Sequence, residues 1–155
     1  MDRKELLIRK NEGRRKIQAY ISDLNRIFKT DLHDDDFLDL ETSDQLKNAF
    51  YDSFKNSTTR KTKTYQGAET GRLENDVKDL KERFAGQSLY LITKLSEYCG
   101  VVLVSAVLAL DNYKELIELD GDSLNLANSG TGGANNLLLD YYEEGGDYYF
   151  ELSVW

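Results

Sequence analysis

One histidine and one cysteine bound the chemistry open to this 155-residue chain. His33 stands in Asp31-Leu-His-Asp-Asp-Asp-Phe-Leu-Asp-Leu-Glu41, where an imidazole and several carboxylates could together hold a divalent cation. The calcium-loop spacing is missing, because a loop begun at Asp31 has Asp36 at its sixth position instead of glycine and Thr42 at its twelfth instead of glutamate. The stretch therefore reads as an acidic connector rich in helix-capping residues. A zinc site of the usual kind needs more Cys and His than the chain has. A Ser-His-Asp arrangement would have to recruit His33 with no nucleophile-elbow motif. Carboxylates are plentiful, but without the spacing that paired acid–base hydrolysis requires. Gly130, Gly132 and Gly133, between Asn128 and Asn136, lack the lysine of a phosphate-binding loop and read as a flexible connection. The chain is therefore not expected to be an enzyme, and neither a metal nor a cofactor is called for.

A second kind of chemistry is better represented. The last nineteen residues read Leu137-Leu-Leu-Asp-Tyr-Tyr-Glu-Glu-Gly-Gly-Asp-Tyr-Tyr-Phe-Glu-Leu-Ser-Val-Trp155. They spell two alternating segments, Leu137 to Tyr142 and Tyr148 to Trp155, around a glycine turn, which predicts a β-hairpin. Period two sorts its faces. Leu137, Leu139, Tyr141, Tyr148, Phe150, Leu152 and Val154 share the face expected to pack on helices. Asp140, Tyr142, Tyr149, Glu151 and Trp155 share the other, with Glu144 at its end. Rings beside carboxylates suit protein recognition, because Tyr and Trp anchor interfaces and acidic groups steer a basic partner.

Charge is distributed to match. The net charge is −8. Residues 1–30 hold nine Lys/Arg against four Asp/Glu, 31–54 one against eight, 55–64 four against none, and 86–155 two against eleven. The acidic second half repels nucleic-acid phosphate and attracts basic proteins. Arg9, Lys10, Arg14, Arg15 and Lys16 form a basic patch without interleaved aromatics, so direct nucleic-acid binding is not expected.

The elements that must position this hairpin are mostly helical. Residues 3–29 predict a helix with Ile17, Ile21, Leu24 and Phe28 on one stripe, widened by Tyr20 and Ile27 and interrupted by Gly13. Thr42 with Gln45 forms a capping box before a helix over 43–55. Asn56 to Tyr65 reads as a mobile loop or an edge segment. Leu73, Val77, Leu80 and Phe84 define a third helix, with Glu74–Lys78, Lys78–Glu82 and Asp79–Arg83 as exposed ion pairs and Gly86 as its stop.

The run Gly100 to Leu110 carries no charge and must be buried. Ile92, Leu95, Cys99, Val102, Ala106, Ala109 and Tyr113 form one helical seam, predicting a central helix from about Ser88; valine density keeps a strand pair as the alternative. Cys99 lies on this seam as a small core residue in a reducing compartment. Asp120-Gly121-Asp122 signals a further hairpin. These elements predict an α+β fold. Three or four N-terminal helices, one of them central and buried, pack on a C-terminal antiparallel sheet of about four strands. The expected organisation is one domain over 1–155: a basic arm and acidic connector (1–41), a helical core (42–112) and antiparallel hairpins (113–155). The charged opening Met-Asp-Arg-Lys-Glu is unlike a secretory leader, and Lys94 and Glu97 interrupt the one stretch of membrane-spanning length, so a cytoplasmic location is expected.

In the acidic and aromatic pattern of Leu137 to Trp155, the chain resembles small bacterial immunity proteins that neutralise a toxin, often a basic nuclease. The resemblance implies a non-catalytic inhibitor. Asp140, Tyr142, Glu144, Tyr149, Glu151 and Trp155 would then meet the basic partner. Two alternatives stand beside it. One is an acidic DNA mimic of the phage anti-defence type, which needs carboxylates spaced like phosphates over a long surface. The other is an adaptor, a homodimer joined through its N-terminal helices.

Overall fold

A computed structural model describes residues 2–128 and 135–155. The glycines at 130, 132 and 133, read as a flexible connection, lie outside the described residues. The chain runs α1 (Arg3–Phe28), α2 (Leu40–Asn56), β1 (Lys61–Gln66), α3 (Thr70–Arg83), β2 (Ser88–Ile92), α4 (Ser96–Cys99), β3 (Val102–Ser105), α5 (Ala106–Asp111), α6 (Tyr113–Asp120), β4 (Ser123–Ala127), β5 (Leu137–Glu144) and β6 (Asp147–Val154). The class is α+β, with mostly N-terminal helices on an antiparallel sheet. The sheet has six strands rather than about four, in the order β1-β6-β5-β4-β2-β3.

The extra strands come from two stretches. The polar segment before Tyr65 is an edge strand, with Lys61 to Gln66 registered against Val154 to Tyr149. The run from Ser88 to Leu110 is not one helix. It forms β2 and β3, paired antiparallel with Leu89 opposite Val104 and Leu91 opposite Val102, around the single turn of α4. Gly100 separates them with φ 87° and ψ 175°, a conformation that no helix tolerates. The helical seam was misleading because Val101 and Ile92 are buried on one face of the sheet while Leu89, Leu91, Val102 and Val104 are buried on the other. In β3 the outward-facing Leu103 is apolar although 43% exposed, so neither strand shows the polar–apolar alternation that would mark a period of two.

Asp120-Gly121-Asp122 is not a hairpin turn either. Residues 113–120 are helical, and Gly121 is the left-handed C-cap of α6 before β4. Of the caps, Asp39 rather than Thr42 starts α2, its carboxylate accepting hydrogen bonds from the Thr42 amide at 2.8 Å and hydroxyl at 2.7 Å. The ion pairs expected along α3 do not form: Glu74 pairs with Lys114 across to α6 and Lys81 with Asp111 at the end of α5.

Two cores lie on opposite faces of the sheet. The larger joins Tyr20, Leu24 and Phe28 of α1, Leu73 and Val77 of α3, Ala109 of α5 and Leu116 of α6 to Leu124, Leu126, Leu137, Leu139, Phe150 and Leu152 of the strands. The smaller places Phe50, Leu46 and Phe54 of α2 over Ile92, Val101, Ala127, Leu138 and Trp155. Each buried large side chain contributes about 1.5–3 kcal/mol. The stripe of α1 is thus consumed within the monomer. Gly13 does not interrupt α1 but lets it touch α4, since a Cβ there would lie 2.2 Å from the Tyr98 carbonyl oxygen. Arg9 of the basic patch is buried, its guanidinium forked on Asp44 at 2.7 and 2.9 Å and donating to the Glu97 carbonyl at 2.8 Å. No helix among the described residues is long and apolar enough to cross a membrane.

Candidate functional site

α2 covers only one end of the second sheet face, and the hairpin strands β5 and β6 run out beyond it. Their turn is made by Gly145 and Gly146, both at positive φ, as a two-residue hairpin requires. The register sets Asp140 opposite Glu151, Tyr142 opposite Tyr149 and Glu144 opposite Asp147. Alternation then puts these six side chains on one face. Tyr142 and Tyr149 stack, with ring centroids 5.2 Å apart and planes 15° from parallel. A carboxylate pair stands at each end of the stack. Five of the six residues expected to meet a partner, Asp140, Tyr142, Glu144, Tyr149 and Glu151, are brought together here, and all remain at least partly exposed.

Trp155 is the exception and a correction. Only 9% of it is exposed. Its ring sits 5.1 Å from both Phe50 and Phe54, and its indole N–H donates to Ser53 at 2.8 Å. It lies on the expected face, but at the end that α2 covers, so it is a core residue.

Asp140 sits mid-strand, flanked by Ser123 of β4 and Glu151 of β6. Burial, then the charges of Glu151, Asp122 and Asp120, push its carboxyl up to about 6. Asp120 and Asp122, whose sequence signals a turn, both add charge to the site. Asp120 accepts from the Lys94 amide at 2.8 Å, and Asp122 pairs with the Lys94 ammonium at 3.3 Å. Burial raises the Asp120 carboxyl, while a hydrogen bond from Asp120 holds Asp122 low. Ser123 Oγ lies 3.3 Å from Asp120 and 3.2 Å from Asp122, and accepts from Asn125 at 2.9 Å. Tyr51, 41% exposed on α2, has its phenol raised by burial and then by the charges of Asp120, Asp140 and Asp122. Tyr51 gave no signal in the sequence beyond standing next to Phe50 on a helix whose inner face Phe50 defines.

The remaining chemically suggestive residues do not assemble. His33 lies 3.3 Å from Asp31 in the exposed connector, far along the chain from the acidic face. Among the described residues no three His, Cys, Asp or Glu side chains are grouped to hold a metal ion. Cys99 is buried, and burial pushes its thiol up, which disfavours the reactive thiolate. Comparison with protein-family models, with curated proteins and with solved structures finds no match for this chain.

The energetic position of Asp140 is testable. Its folded pKa exceeds the unfolded value of 3.8, so the native state binds the extra proton between about pH 4 and 6, and stability falls as pH rises through that window. Above it the full penalty applies. Asp140→Asn is expected to stabilise the fold at pH 7 by about 1–2 kcal/mol, discounting the roughly 1.4 kcal/mol per pH unit for partial solvation. The gain vanishes below pH 4. Urea unfolding of both proteins at pH 4 and pH 7 measures it; equal midpoints at pH 7 would remove the strained carboxylate.

Proposed function

We propose that the chain is a non-catalytic binding protein that inhibits a basic partner, of the kind immunity proteins oppose, by covering its working surface with the acidic face of β5 and β6. Asp140 carries this reading. A carboxylate kept mid-sheet among three others lowers stability, and such a cost is common where a site must receive a complementary group. A cationic partner would relieve the repulsion among Asp120, Asp122, Asp140 and Glu151. The stacked Tyr142 and Tyr149, with Tyr51 nearby, offer rigid contact area that loses little entropy on binding. Carboxylate pairs on both sides of the stack would speed encounter at low salt.

The DNA-mimic alternative needs acidic rungs repeated over a long surface, whereas the hairpin carries two, four residues apart, or roughly 13 Å along a strand. The dimeric adaptor would need an apolar face on α1, but its stripe packs into the larger core, and the large apolar side chains α1 leaves exposed are Leu7 and Ile8 near its start. Both are less well supported.

The test is capture from the source cell by the wild-type chain and by Glu144→Lys/Glu151→Lys, with unfolding midpoints showing that both fold. The expected result is a basic protein held by the wild type at low salt, released at high salt and not held by the variant, whose activity the wild type suppresses. Identical capture by both chains, or binding indifferent to salt, would overturn the proposal.

A further inference from the structure

On the opposite face of the sheet, a cleft of about 470 Å³ opens between the edge strand β1 and helix α3. Leu80 of α3 and Leu152 and Val154 of β6 give it an aliphatic lining, and Lys61, Lys63 and Arg83 bring positive charge to it. Its acidic residues are Asp76 and Asp79. Asp76 is engaged, accepting from the Tyr65 hydroxyl and pairing with Lys63 at 3.5 Å. Lys61 and Arg83 have no ion-pair partner among the described residues, although the sequence spacing offers Asp79 to Arg83. Both are exposed at the cleft. In a chain of net charge −8 this is a local positive spot, since residues 55–64 hold four bases and no acid.

We propose that this cleft binds an amphipathic anion, its carboxylate or phosphate held by Lys61 and Arg83 and its hydrocarbon body on Leu80, Leu152 and Val154. Size supports the assignment, because ligand sites of about 300–1,000 Å³ combine an apolar lining with a few polar groups that fix orientation. Sign supports it too. A cationic ligand would find only Asp79 free of a partner, and would face two unpaired bases. Two lysines on the outer strand also discourage a second copy from pairing along that edge, which favours a small molecule as the occupant. The site is on the far side of the sheet from the acidic hairpin face and does not depend on the inhibitor reading.

The experiment titrates the full chain with decanoate, decyl phosphate and decyltrimethylammonium below their micellar concentrations, following backbone amide shifts by NMR. Saturable one-site shifts in residues 61–65, 79–83 and 152–154 are expected with the anions, the tighter of the two naming the headgroup. The cation should bind at least about ten-fold more weakly, as should both anions to Lys61→Glu/Arg83→Glu. These residues are on the surface, so that variant should unfold at the wild-type midpoint. Equal binding of the cation, shifts centred elsewhere, or unchanged affinity in the double variant would each overturn the proposal.

Discussion

Gly100→Ala should leave little folded protein. The residue sits at φ 87° and ψ 175°, a region that costs a non-glycine residue about 1–3 kcal/mol. The new methyl group would lie 2.0 Å from the carbonyl oxygen of Leu38, and neither backbone can yield freely. Leu38 donates its amide to the Val101 carbonyl at 2.9 Å, and the Val101 amide donates to the buried Ser43 hydroxyl at 3.0 Å. Relieving the overlap breaks both bonds, and a buried group left unpaired costs about 1–3 kcal/mol. The sum, about 3–9 kcal/mol, is comparable to the whole stability of an average domain. Gly71→Ala supplies the contrast: it lies in α3 with nothing within 4 Å of the added methyl, and should stabilise by about 0.5–1 kcal/mol. Urea unfolding and soluble yield of the two variants separate the effects. A Gly100→Ala protein with the wild-type midpoint would mean that the connector before α2 does not pin β3.

Gly100 also shows where local reading ends. α1 and α3 were legible because each has one buried and one wet face, so Leu24 and Phe28, or Leu73 and Val77, recur at helical spacing. The hairpin was legible because β5 and β6 lie partly beyond α2, leaving an alternation that sorts Leu139 from Asp140. At the other edge of the same sheet apolar side chains take both faces, the exposed Leu103 included. There Leu89 to Ile92 and Val101 to Val104 carry no charge, and their residues fit a helical seam as well as a strand. Gly121 was ambiguous for a different reason: a hairpin turn and a helix C-cap both need a residue at positive φ, and Asp-Gly-Asp suits either. Of the ion pairs expected along α3, Glu74–Lys78 gave way because Lys114, brought close only by the tertiary fold, offered Glu74 another partner. Alternation thus names the face a side chain takes. It does not say which part of that face a distant helix will cover.

Trp155 tests that distinction with the second large effect. Being the chain's only tryptophan, it can be followed by fluorescence without interference. Wedged against Phe50 and Phe54 with its indole bound to Ser53, it should emit at short wavelength in the native state and shift to the red on unfolding. Trp155→Ala removes the largest side chain of the smaller core beneath α2 and leaves the Ser53 hydroxyl without its donor, at an expected cost of about 3–5 kcal/mol. Trp155→Phe keeps the ring contacts and loses one hydrogen bond, so about 1–2 kcal/mol should go. The functional corollary separates a core ring from a docking ring. A basic partner seated on Tyr142 and Tyr149 would leave the emission of Trp155 unchanged, because α2 stands between the indole and solvent. Emission that moved on binding, or a Trp155→Ala chain as stable as the wild type, would return that ring to the surface and reopen the covered end of the sheet as part of the contact.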